Sequence, residues 1–71
     1  MPLANTIRWL RFNQREMTQK ELAEKAGVTR QTIVAIEKAK YAPSLELAFL
    51  IADVFGRSIG DVFSFDTDTP S

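Results

Sequence analysis

Apolar positions recur along this chain at intervals of three and four rather than two, the spacing of helices that bury one face. Over residues 6–14, Ile7 and Leu10 share a side with Arg11, and Asn5 stands just before them as a candidate N-cap. Trp9 and Phe12 fall on a second face that a small monomer need not cover completely; packing at the edge of the core is the expectation, and partner-facing aromatics are the alternative. Residues 13–17 read as a polar connector ending in Met17, a position from which an apolar side chain can staple the next helix start to Leu22. Thr18 caps that second helix, and Glu21 three residues later completes a Ser/Thr-x-x-Glu capping box. Leu22, Ala23 and Ala26 give it one narrow apolar stripe, while Lys20/Glu24 and Glu21/Lys25 are spaced to pair on its solvent side. Gly27 follows, where a tight corner needs a residue tolerant of positive φ. Thr29 caps a third helix whose Ile33 and Ile36 turn back towards the second. Two short helices around one glycine are the signature of a helix-turn-helix.

The back half follows the same spacing with fewer charges. Pro43 disfavours helix at the residue before it, and Ser44 caps a fourth helix over residues 45–55. Only Glu46 and Asp53 interrupt its apolar character, so it must be central or covered by another chain. Gly56 ends it. Ser58 caps a short fifth helix with Asp61 at its third position and Ile59, Val62 and Phe63 on its apolar side. Phe63-Ser64-Phe65 alternates and can instead finish as a short extended segment. Residues 1–65 are expected to form one domain and residues 66–71 a polar, frayed tail.

Composition narrows the classes open to such a helical domain. The 71 residues are 45% hydrophobic, enough for one small core and too many for a disordered chain. No apolar run approaches the roughly 18 residues of a membrane span, and residues 1–12 lack the long apolar core of a secretory leader. With no cysteine and no histidine, disulfides, the usual metal ligands and the usual general base are all missing. A cytoplasmic protein that is not an enzyme and holds no metal or cofactor is the expectation. The formal net charge is zero, but residues 1–40 carry eight Lys/Arg against four Asp/Glu, whereas residues 41–71 carry one Arg against five acids. The front of the chain therefore builds a basic face.

The third helix concentrates that charge. With Ile33 and Ile36 inward, Gln31 and Lys38 point away, Val34 and Ala35 flank them, and Arg30 sits at the rim of the first turn. Such a face suits the major groove, where Arg pairs with guanine, Gln with adenine and Val touches a thymine methyl. Lys38 is better placed for a phosphate, as is Gln19 in the first turn of the second helix, where backbone N–H groups lack helical partners. Glu37 falls instead on the flank of the buried face, where an unpaired charge is costly, and Arg11 is its candidate partner.

The run TQKELAEKAGVTRQTIVAIEKAKYAPSLELAFLIADVFG resembles the phage-repressor-like, or Cro/CI (XRE), helix-turn-helix family. Thr18-Gln19, Ala23, Gly27, Arg30-Gln31-Thr32-Ile33, Ile36-Glu37 and Pro43-Ser44-Leu45 carry the likeness, which extends over residues 6–65. It implies an all-α, five-helix, lambda-repressor-like DNA-binding domain with the helix-turn-helix at helices two and three. It also implies a homodimer on double-stranded DNA. On this chain Gln19, Thr29, Arg30, Gln31, Val34, Ala35 and Lys38 occupy the positions expected to face DNA, and Lys40 and Tyr41 lie in a loop that in the family follows the DNA backbone. Two features depart from the pattern: the connector after Arg11 is about one residue longer, and Ala39 stands where glycine often closes the third helix.

A 71-residue monomer has difficulty covering Phe49, Leu50, Val54, Phe63 and Phe65 at once. A two-fold dimer through the fifth helix and the segment after it, with Val62, Phe63 and Phe65 at the interface, is therefore expected. The function this points to is sequence-specific DNA binding by a transcriptional regulator, most simply a repressor. The competing reading is a protein-interaction adaptor on the same fold, antitoxin-like or coactivator-like, working through the apolar fourth helix, Trp9 and the Phe-rich end.

Overall fold

The computed structural model describes residues 3–65. Five helices follow in order: α1 (Ile7–Asn13), α2 (Gln19–Ala26), α3 (Arg30–Glu37), α4 (Leu45–Phe55) and α5 (Ile59–Val62). A small two-stranded sheet clamps the ends of this helical domain, with β1 (Leu3–Asn5) antiparallel to β2 (Phe63–Phe65) and Leu3 opposite Phe65. The expected tail, residues 66–71, lies outside the described residues.

Local chemistry accounts for most of the boundaries. The Thr18 hydroxyl accepts the Glu21 N–H at 3.0 Å while the Glu21 carboxylate accepts the Thr18 N–H at 3.3 Å, so the capping box forms in both directions. That use of the Glu21 carboxylate competes with a pair to Lys25. Neither Glu21–Lys25 nor Lys20–Glu24 closes to ion-pair distance among the described residues, as the low value of exposed pairs allows. Gly27 takes φ +74 and lets the chain turn sharply, with the Val28 N–H returning to the Ala23 carbonyl at 3.0 Å. Thr29 and Ser44 cap α3 and α4 through the N–H groups of Thr32 and Leu47. Ser58 occupies the N-cap of α5, but its hydroxyl makes no capping bond.

The N-terminal segment departs from expectation. Residues 3–5 do not merely lead into α1; they pair with β2, so the alternating Phe63-Ser64-Phe65 segment is extended. Thr6, expected inside the helix, is its N-cap residue, and its N–H and hydroxyl donate to the carbonyls of Val62 (2.9 Å) and Asp61 (2.8 Å). The side chain of Asn5 accepts the Ile7 N–H at 3.2 Å and donates to the Ile36 carbonyl at 2.9 Å. One residue thus starts α1 and closes the end of α3.

The core lies where α2, α3 and α4 meet and where α5 folds back on α4. Ile7, Leu22, Ile33, Ile36, Ile51 and Val62 are fully buried there, and each large aliphatic side chain so buried contributes roughly 1.5–3 kcal/mol. Small Ala23 and Ala26 are buried at the α2–α3 crossing and allow close approach. Trp9 and Phe12, expected at the core edge, are 59% and 69% exposed instead. With Ile7 and Leu10 inward, both project from the opposite side of α1 and stay exposed among the described residues.

Ala39 closes α3 with φ +59, and the N–H groups of Ala39 and Lys40 return to the carbonyls of Ile36 and Ala35. A β-carbon in this conformation costs about 1–2 kcal/mol, which glycine avoids at some cost in chain entropy. Ala39→Gly is expected to stabilise the fold by about 0.5–1 kcal/mol, raising the thermal midpoint by about 3–6 °C. A midpoint that falls on this substitution in a calorimetric melt contradicts the assignment.

Candidate nucleic-acid interface

Folding about Gly27 places the N-terminus of α2 beside the outward face of α3. A groove of about 620 Å³ runs between them and reaches the side of α1, lined by Arg8, Thr18, Lys20, Arg30, Val34 and Lys38 among others. A second depression of about 410 Å³ continues along α3, bordered by Arg30, Gln31, Val34, Ala35, Lys38 and Lys40. Arg30, Val34 and Lys38 border both, so the two form one surface. Arg30, Gln31 and Lys38 are exposed, while Val34 and Ala35 are half-buried between them. An apolar strip flanked by long polar side chains is what results.

The floor of the first groove is an ion pair. Arg11 donates from Nε to Glu37 Oε2 at 2.7 Å and from a terminal nitrogen to Oε1 at 3.1 Å, and its other terminal nitrogen donates to the Met17 carbonyl at 2.9 Å. The two side chains retain 15% and 8% of their exposure. The expected Arg11–Glu37 pair therefore forms, and the longer connector still delivers Met17 to the same guanidinium. Arg15 and Glu16 absorb the extra length, both at φ +55. Glu37 Oε1 also accepts from the Gln19 side-chain amide at 3.3 Å. Gln19 lines the groove as expected, with one amide N–H directed to Glu37 and its carbonyl and second N–H available to a ligand.

Of the expected DNA-facing residues, Gln19, Arg30, Gln31, Val34, Ala35, Lys38 and Lys40 border these two grooves. Thr29 and Tyr41 border neither. Thr29 uses its hydroxyl on the Thr32 N–H at 3.3 Å and lies 3.0 Å from the Thr32 hydroxyl, and Tyr41 is half-exposed in the loop beyond α3. The structure adds two cations that the sequence reading assigned elsewhere or left aside. Lys20, read as half of a helix-surface pair, and Arg8, three positions before Arg11, both border the first groove. Their signal was spacing: Arg8 and Arg11 share a side of α1, and Lys20 follows Gln19 in the first turn of α2.

The expected dimer residues separate. Val62 and Phe63 are buried in the domain's own core, drawn in by the β1–β2 pairing, whereas Phe65 is 63% exposed on β2. Phe49 and Leu50 are exposed on α4, and Val54 is half-buried. Among the described residues no His/Cys/Asp/Glu group could hold a metal, and no helix is long and apolar enough to cross a membrane.

Comparison with known proteins agrees with this geometry. The helix-turn-helix family model matches residues 7–62, from the start of α1 to the end of α5. The chain is 60% identical over 52 residues to an uncharacterized HTH-type transcriptional regulator of Methanocaldococcus jannaschii, covering 73% of this chain and 79% of that one. It is 58% identical over 53 residues to another from Methanothermobacter thermautotrophicus, covering 73% and 77%. Over 67 residues it is 31% identical to the immunity repressor protein of Bacillus phage phi105, covering 94% of this chain and 46% of the repressor. The chain belongs to the Cro/CI-type (XRE) helix-turn-helix family, a family of DNA-binding transcription regulators.

Removing Arg11 leaves the largely buried Glu37 carboxylate with the Gln19 amide as its one side-chain partner among the described residues. Arg11→Met is expected to destabilise the domain by about 3 kcal/mol, moving the thermal midpoint down by roughly 10 °C or more. Adding Glu37→Met should recover most of that loss, because the stranded charge is gone. Equal midpoints for wild type and Arg11→Met would rule out a stabilising pair.

Proposed function

We propose that this protein is a sequence-specific, double-stranded DNA-binding transcriptional regulator, most simply a repressor, that acts in the cytoplasm as a homodimer and performs no catalysis. The observation that carries the reading is the continuous surface of the two grooves. It joins the outward face of α3 to the start of α2 and gathers Arg8, Lys20, Arg30, Lys38 and Lys40, none of which has an ion-pair partner among the described residues. A duplex supplies the missing negative charge.

In this reading α3 enters the major groove. Arg30 and Gln31 carry the planar donor and acceptor groups that distinguish guanine and adenine edges, and half-buried Val34 and Ala35 meet thymine methyl groups without holding the helix away. Lys38 and Lys40 at one end, with Gln19, Lys20 and Arg8 at the other, grip phosphates on either side and set the depth of insertion. The unpartnered N–H groups in the first turn of α2 add to that grip. Thr29 and Tyr41 contribute at the edges, the first mainly by holding the start of α3.

The homodimer rests on Phe65, which a lone domain leaves largely in water, and on the weakness of a single module on DNA. A two-fold contact through α5 and β2 sets two α3 helices on successive turns of the major groove, about 34 Å apart. Val62 and Phe63 support that contact from inside the core, and Phe65 makes it.

A second reading, an interaction adaptor, draws on the exposure of Trp9, Phe12 and Phe49. A heparin or duplex-DNA column separates the two: the regulator is retained and elutes with salt, whereas the adaptor passes through.

Selection from randomised duplexes tests the regulator directly. Arg30→Ala is expected to relax base preference at one position of each half-site, losing about 1–3 kcal/mol of discrimination. Lys40→Ala should instead weaken all sequences about equally and reduce the salt slope by about one. Identical preferences for wild type, Arg30→Ala and Gln31→Ala would show that α3 does not read bases.

A further inference from the structure

Among the described residues, two helix faces outside the α3 surface and the α5–β2 contact carry exposed apolar side chains, and they are opposite in charge; Arg8 stands on the border between the first of them and the DNA surface. On α1, Trp9 and Phe12 stand one turn apart at 59% and 69% exposure, with exposed Arg8 one turn before Phe12 and exposed Arg15 just beyond the helix. A groove of about 980 Å³ lies against this face, and Arg11, Glu16 and Met17 also line it. On α4, Leu45, Phe49 and Leu50 are 70%, 53% and 43% exposed. Glu46 and Asp53 emerge among them, since at 100° per residue all five fall within about 140° of the helix surface. None of Arg8, Arg15, Glu46 or Asp53 has an ion-pair partner among the described residues.

We propose that the α1 face of one copy docks on the α4 face of another. Aromatic side chains meet aliphatic and aromatic ones, and cations flanking the first face meet carboxylates flanking the second. Like faces fit less well: α1 on α1 sets arginine against arginine, and α4 on α4 sets carboxylate against carboxylate. A single contact between unlike faces is head-to-tail and leaves one free face at each end, which a two-fold dimer does not. It therefore joins one dimer to the next, and on DNA it couples regulators bound at adjacent sites. The contact uses neither Phe65 nor the α3 surface, so it stands or falls apart from the two-fold dimer.

Head-to-tail docking has a diagnostic that self-matching contacts lack. Phe12→Glu spoils only the α1 face and Phe49→Arg only the α4 face; both residues are exposed, and unchanged circular dichroism melts verify folding. By sedimentation velocity, wild type should grow beyond the dimer between about 10 and 500 μM, at least doubling its weight-average mass, as suits a small contact. Each variant alone should stop growing. An equimolar mixture should resume growth, because the intact α4 face of Phe12→Glu meets the intact α1 face of Phe49→Arg. Phe65→Ser should lose the two-fold dimer yet keep concentration-dependent growth, which separates the two contacts. Wild type that does not grow over this range overturns the proposal, as does a mixture no larger than its separate components.

Discussion

The ion pair between Arg11 and Glu37 joins parts of the chain that share little else. Its carboxylate belongs to the last residue of α3, its guanidinium to α1, and both make further bonds: Arg11 to the Met17 carbonyl, Glu37 to the Gln19 amide. One charge pair thereby sets the position of α1, the connector, the start of α2 and the end of α3. Asn5 adds a second tie at the same place by donating to the Ile36 carbonyl while accepting from Ile7. The pair forms the groove floor, largely shielded from water, where truncating one partner costs far more than at an exposed site. Its effect is positional: Arg11 holds α1, and with it Arg8, beside the groove, and Glu37 anchors the Gln19 amide.

Features governed by neighbours in the chain could be read directly from residue order. The capping box at Thr18 and Glu21, the left-handed corner at Gly27, and the caps at Thr29 and Ser44 each depend on a few adjacent residues, and each forms where expected. The outward face of α3 was legible for the same reason, because Ile33 and Ile36 fix the helix rotation and leave Arg30, Gln31, Val34, Ala35 and Lys38 on the other side. Even the long-range pair could be inferred, since Glu37 on a buried flank demanded a cation and Arg11 was suitably placed.

Features that depend on distant pairing were not legible. β1 has only three residues and no periodicity of its own; it exists because residues 63–65 lie beside it, and only the fold brings them together. That pairing sets Phe63 opposite Asn5, where it is buried as Val62 is at the end of α5, while Phe65 stays exposed. Trp9 and Phe12 misled for a related reason. Spacing placed them on a second face of α1, but could not tell that only the face of Ile7 and Leu10 is buried among the described residues. Arg8 and Lys20 were undervalued because a cation on a helix surface looks the same whether it faces open water or a groove.

The resulting domain separates support from recognition. Aliphatic side chains and one ion pair hold two short helices at a fixed angle, while polar side chains on their outer surfaces meet at a basic groove. The central claim, that this groove and the face of α3 receive DNA, is tested most directly by following backbone amide resonances of the 15N-labelled protein during titration with a mixed-sequence duplex at low salt. Shifts are expected to concentrate at Gln19, Lys20, Arg30, Gln31, Val34, Ala35, Lys38 and Lys40 and to fade together as salt rises. Shifts confined to Trp9, Phe12, Phe49 and Leu50, or no shifts at all, would contradict it.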